Sequence, residues 1–239
     1  MKKIATVFLT AFVLCNACMD GGPRVKGNGN MTTESTQPGD FTGVELNASF
    51  DVYLTEGSST GVKIEAEQNI LSHIEVHVED GTLNIDTKDH VWLDPTRPVK
   101  IFVTAPSYKE IQNTGSGNIT GQTKLTNETQ LDISSSGSGT MQLDVDAPEI
   151  NASVSGSGHM SLTGQTKKFS GDVSGSGGIK AINLMTEESA MQVSGSGNVE
   201  VYASVKLDAN ISGSGYIRYK GEAKVNTNIS GSGDVRKVD

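Results

Sequence analysis

The chain has 239 residues and a formal net charge of −9, with 28 glycines, 6 prolines and 5% aromatic residues. An acidic chain without clustered Lys and Arg lacks the footprint of a nucleic-acid binder, and its charge serves mainly solubility. Both cysteines, Cys15 and Cys18, fall within the first twenty residues. The body therefore has no disulfide framework and no Cys-based zinc site, and no cofactor is expected.

Lys2 and Lys3 precede an apolar run, Ile4 to Leu14. Eleven residues are too few to span a bilayer as a helix, but they suit the apolar centre of an export signal. The run ends at Cys15-Asn16-Ala17-Cys18, which resembles a bacterial lipoprotein signal peptide. In such signals a small residue precedes the Cys that becomes the lipidated first residue. The resemblance implies cleavage after residue 17, a lipid on Cys18 and attachment to the envelope membrane. Cys15 stands where Leu is usual in that motif. Residues 18–39 are rich in Gly, Asn, Thr and Ser and lack apolar periodicity, which predicts a flexible tether after the lipidated Cys.

Residues 40–106 read as an N-terminal β region. Phe50, Val52 and Leu54 alternate with polar residues, as do Val62, Ile64 and Ala66, then Ile74, Val76 and Val78. Such alternation marks half-buried strands. Asp80-Gly81 between two alternating runs predicts a hairpin, since its turn needs positive φ. Residues 68–72 suggest one helical turn. Residues 88–98 hold the only tryptophan, Trp92, with Pro95 and Pro98. Two prolines argue for a loop, and an irregular loop is a place to look for function.

Residues 107–239 repeat Gly-Ser-Gly. Its first glycine recurs at 115, 137, 156, 175, 195, 213 and 231, at spacings of 22, 19, 19, 20, 18 and 18. A period near twenty is the signature of a solenoid. With that glycine as position 0, the non-glycine even positions from −6 to +6 are apolar in 27 of 35 places, and the odd ones from −5 to +5 in 2 of 42. One face of every strand is buried and the other wet. No single unit can enclose a core, so the units must stack. The expected fold is all-β: a right-handed, three-sided parallel β-helix with about 18–20 residues per rung.

The repeated serines are poor nucleophile candidates, because none has a matched base and acid in the pattern. The glycines lie inside strand alternation, not ahead of a helix, so they are no phosphate loop.

The opening FTGVELNASFDVYLTEG, the Asp80-Gly81 hairpin and the serial Val-Ser-Gly-Ser-Gly pattern together resemble the autotransporter adhesin, head GIN domain family. The resemblance spans residues 40–236 and implies one continuous β-helix on an exported envelope protein. It supplies no catalytic residues. The repeats run to the last residues, so a C-terminal outer-membrane translocator is not expected, and a lipid at Cys18 takes its place as anchor.

The expected function is a non-enzymatic, lipid-anchored envelope module that acts as an adhesin-like binder or scaffold for a surface glycan or protein. The alternative is a carbohydrate-binding or polysaccharide-cleaving β-helix. Trp92, Tyr202 and Tyr216 are the candidate ligand-binding aromatics, while Tyr219 has inward parity. Lys180, Glu200 and Arg218, stacked on consecutive rungs, are the best cluster for cleavage. A charge ladder on a wet face is the better explanation of them.

Overall fold

The structure, a computed structural model, describes residues 22–88 and 91–239. The export signal and both cysteines, including Cys18, lie outside the described residues. Strand makes up 68% of the described residues and helix 2%. In chain order come β1 (Arg24–Lys26), β2 (Met31–Thr36), β3 (Gly43–Leu46), β4 (Asp51–Glu56) and β5 (Gly61–Glu67). A single turn α1 (Gln68–Leu71) follows, then β6 (Ile74–Glu79), β7 (Thr82–Thr87), β8 (Trp92–Asp94) and β9 (Lys100–Ala105).

From residue 110 each rung contributes one strand to a first column and one to a second. The first column runs through 110–113, 130–135, 149–156, 168–175, 188–195, 206–213 and 224–231, each segment parallel to the next. The second runs through 118–120, 140–143, 159–162, 178–181, 198–202, 216–220 and 234–237. The Gly-Ser-Gly stretch is the corner between them. The columns stack in the register that the sequence repeat dictates, as in Ile150↔Phe169 and Val173↔Val193↔Ile211. The chain is a parallel β-solenoid of about seven turns.

The even columns fill the interior. Ile119, Met141, Met160, Ile179, Val199 and Ile217 form one ladder of buried side chains, and Leu143, Leu162, Ala181 and Val201 form another. Apolar area removed from water at every rung drives the stacking.

The second glycine of each corner lines this core: a Cβ on Gly197 would lie 2.4 Å from Val173 Cγ1, and one on Gly215 2.6 Å from Val193 Cγ1. From Gly156 onward the first glycine of each corner has φ between +110° and +128°, a region that other residues adopt only under strain. The corner is where the chain bends. A Cβ on Gly175 would lie 2.6 Å from the Gly156 carbonyl oxygen, and one on Gly177 2.3 Å from that of Gly158. Backbone rests directly on backbone up this edge.

The N-terminal region continues the same coil. β3 lies parallel to 110–113, and β4 to 118–121. The corner between them is Asn47-Ala48-Ser49-Phe50, on which Gly115 and Gly117 sit. β7 and β9 supply one further level beneath β3 and β4. There the parallel stacking ends, because β6 pairs antiparallel with β7 and β5 with β9. The β6–β7 hairpin turns at Asp80 (φ 49°) and Gly81 (φ 78°), as Asp-Gly predicts. α1 inserts fully buried Ile70.

Two expectations need correction. Much of the supposed tether is folded: β2 is an edge strand antiparallel to β5, and β1 pairs parallel with β8. MTTEST has no apolar alternation because it is paired along one edge only and five of its six residues are exposed. The stretch around Trp92 is likewise not all loop. β8 forms before Pro95, and its partner strand is the N-terminal segment, whose position no local pattern reveals.

A third, short face appears only where the rungs are long. Residues 124–126, 144–146, 163–165 and 183–185 stack in parallel, after a break in register in the first and last of these pairings. In the 18-residue rungs this face shrinks to a turn that donates from Ser204 and Val205 N–H to the Thr186 and Glu187 carbonyls.

Candidate functional site

The three aromatics singled out by sequence are not brought together. Trp92 lies on β8 at the N-terminal end, while Tyr202 and Tyr216 lie at opposite ends of one strand pair, 198–202 with 216–220, near the other end.

Tyr202 borders a groove of ≈ 420 Å³ created by the loss of the third face. Where 183–185 has no strand on its far side, Met185 is left 51% exposed. The groove crosses four rungs. Asp146, Ala147 and Pro148 come from the first, Gln165 and Lys167 from the second, Glu187 from the third and Tyr202 from the fourth. Tyr202 is firmly placed. Its carbonyl accepts hydrogen bonds from the Thr186 hydroxyl and from the Ser189 hydroxyl at 3.1 Å, and these two hydroxyls are 2.7 Å apart. Ser189 stands in a column otherwise filled by Leu131, Ile150, Phe169 and Leu207. There it completes the polar pin behind Tyr202. Gln165 donates to Asp146 at 2.7 Å, whereas Lys167 and Glu187 have no ion-pair partner among the described residues. A second hollow, bounded by Pro106, Lys109 and Asn127, shares Asp146 with the groove. The two together span six levels, about 24 Å at the usual inter-strand spacing.

Tyr216 carries Arg218 over its ring, 4.7 Å from the centroid. Lys180, Glu200, Arg218 and Arg236 stack in register, and Arg218 lies 3.8 Å from Glu200. This is a solvent-facing ladder in which Glu200 lies between two cations and Arg218 also stacks on a second Arg, as a wet face permits. Tyr219 packs half-buried against the core.

Trp92 is 68% exposed. The ground beneath it is anchored by Glu67, which sequence reasoning missed because it simply extends β5 past the inward Ala66. Glu67 is fully buried and accepts four hydrogen bonds. These come from Gly29 N–H (2.5 Å), Thr96 N–H (2.7 Å), the Thr96 hydroxyl (2.7 Å) and Arg97 N–H (3.3 Å). The Thr96 hydroxyl, with these backbone donors, holds the carboxyl below its ordinary value against the opposing pull of burial. One carboxylate thus binds the segment after β1 and the segment after β8 to the body. Among the described residues no group of three or more His, Cys, Asp or Glu is placed to hold a metal. No helix among them is long and apolar enough to cross a membrane.

A continuous coil, a glycine corner and an antiparallel N-terminal end are the features on which kinship can be judged. Residues 40–223 match the family model described as "Putative auto-transporter adhesin, head GIN domain". The chain belongs to this family. Among solved structures, a "putative lipid binding protein" from Parabacteroides distasonis is 27% identical with a TM-score of 0.76. A "putative adhesin" from Bacteroides fragilis is 24% identical with a TM-score of 0.85, a likeness of fold. A "putative adhesin" from Parabacteroides distasonis is 26% identical with a TM-score of 0.74. Each comparison covers 90% of this chain and 100% of the other. No curated protein matches. These solved structures are named as a "putative adhesin" or as a "putative lipid binding protein".

Proposed function

We propose that this head GIN domain is a non-enzymatic binding module of the cell envelope, carried on a lipid at Cys18, and that it holds a saccharide of a surface glycan in the groove walled by Tyr202. The observation that carries the reading is the groove itself. One aromatic residue, held by its backbone carbonyl, shares the groove with hydrogen-bonding side chains, Gln165, Lys167 and Glu187, gathered from neighbouring rungs. A sugar ring offers a C–H face to pack on an aromatic plane and hydroxyls to meet amide, ammonium and carboxylate groups. The volume is within the range of small-ligand sites. The names of the relatives agree with a binding role and an envelope location. Cleavage has less support, because a β-helix does not by itself imply it and the Lys180–Glu200–Arg218 column reads as a ladder.

The test is calorimetric titration of surface oligosaccharides into the protein, with Tyr202→Ala and Lys167→Ala as variants. Saturable binding weakened at least tenfold in Tyr202→Ala is the expected result. Glycan binding that survives Tyr202→Ala unchanged would sink the site assignment, and release of new reducing ends would sink the non-enzymatic reading. Mass measurement of the membrane-extracted protein checks the anchor: an acylated Cys18 at the N-terminus is expected, and an unmodified one refutes it.

A further inference from the structure

The folding of β1 changes what the anchor does. Cys18 precedes Arg24 by six residues, and six extended residues reach at most about 20 Å. A lipid at Cys18 therefore keeps the N-terminal end of the solenoid against the bilayer, with no long leash between them. What that end presents is specific. β1 and β8 pair as Arg24↔Trp92, Val25↔Leu93 and Lys26↔Asp94. Alternation puts Val25 and Leu93 on one face, where both pack against the core. Arg24, Lys26, Trp92 and Asp94 share the other.

That outer face joins an exposed indole to cations in a protein whose net charge is −9. Arg24 is paired with Asp94 at 3.0 Å. Lys26 is exposed and has no ion-pair partner among the described residues, and exposed Arg97 follows three residues after Asp94. Tryptophan is favoured at the water–lipid boundary, where its ring is buried and its N–H stays wet. Lys and Arg near an anionic leaflet add about 1 kcal/mol each.

We infer that the outer face of the β1–β8 pair is a membrane-docking surface, with Trp92 entering the headgroup layer and Lys26, Arg24 and Arg97 meeting lipid phosphates. The surface stands the coil on its N-terminal end and directs the Tyr202 groove away from the bilayer. The inference takes its membrane from the Cys18 anchor proposed above. Its test omits the lipid, so that the two ideas fail separately.

Residues 18–239 with Cys18→Ser are titrated with vesicles of neutral phosphatidylcholine and with vesicles containing anionic phosphatidylglycerol. Trp92 is the sole tryptophan, so its emission reports the contact without a label. A blue shift, quenching by bromine-labelled acyl chains and co-sedimentation, all stronger on the anionic vesicles, are expected. Trp92→Ala should weaken sedimentation at least tenfold, and Lys26→Glu, which removes a cation and adds an anion, by more than the roughly fivefold that 1 kcal/mol for the lost cation alone would give. Arg236→Glu, at the far end of the coil, should leave binding unchanged. Absence of a shift on either vesicle, sedimentation indifferent to Trp92→Ala, or equal loss from Arg236→Glu and Lys26→Glu would overturn the inference. The first two outcomes leave Trp92 as a contact for something other than lipid, and the third reduces the effect to overall charge.

Discussion

Replacing Gly175 with Ala separates the two demands placed on the corner glycines. Gly175 has φ +119°, and its added Cβ would meet the Gly156 carbonyl oxygen at 2.6 Å. Gly39 has φ +105° and nothing within 4 Å of its added Cβ. Gly39→Ala therefore measures backbone strain alone, about 1–3 kcal/mol, less about 0.4–1 kcal/mol returned through the stiffer unfolded chain. Gly175→Ala adds the contact. To relieve it, the rung must rise off the one below. The Gly156 carbonyl accepts from Ser176 N–H at 3.0 Å and Gly177 N–H at 2.9 Å, and these two bonds stretch first. At about 1 kcal/mol net each, they bring the expected loss to about 2–4.5 kcal/mol. Guanidinium unfolding of both variants, followed by circular dichroism, gives the comparison. If Gly175→Ala comes within 1 kcal/mol of Gly39→Ala, the rungs yield freely and the close-stacking account of the corner is wrong.

Further outcomes follow from the other polar and charged groups. Tyr108 is fully buried, and its hydroxyl is shared between the Thr55 and Val103 carbonyls at 3.0 and 3.1 Å. Tyr108→Phe should lose about 1–2 kcal/mol in chemical unfolding, and a neutral result would show that water reaches those carbonyls. Glu67 has its pKa lowered in the fold. Its contribution is complete above the unfolded glutamate value and fades as pH falls through the depressed folded one. Hydrogen exchange at Gly29 and Thr96 should thus rise selectively below the ordinary value of 4.5. Glu67→Gln should remove that acid-dependent step, and uniform exchange across the coil on acidification would refute the local tie. Lys180→Ala and Arg218→Ala should each shift stability by less than about 1 kcal/mol; a larger loss from either would mean that the ladder is structural.

The coil was legible because its core is periodic. Any residue whose neighbour is its own counterpart one rung away can be placed by counting, and the even columns place themselves. The Asp80-Gly81 hairpin and the single turn at 68–71 were legible for local reasons. The features on which function is proposed escape counting. β1 and β2 pair with strands tens of residues distant, and Thr, Ser and Glu on an exposed edge leave no apolar signature. The Tyr202 groove arises from a two-residue shortening between successive rungs. In the sequence that is a change of spacing from 20 to 18, without any motif of its own. Tyr202 could be named as an aromatic at an odd place. Lys167, Gln165 and Glu187 could not be joined to it until the corner had been built. Glu67 offered no signal, since its donors are mainly backbone N–H groups.

The tie at Glu67 has a mechanical side. A pull on the chain ahead of Gly22 reaches the body first through β1, three residues held edge-on to β8, and then through the hydrogen bond from Gly29 to Glu67. Behind them stands a coil in which every rung is bonded along its length to the next. Load is therefore carried by a short, separable link in series with a stiff rod. The link can peel and re-form while the rungs beyond it, and the groove they hold, keep their shape.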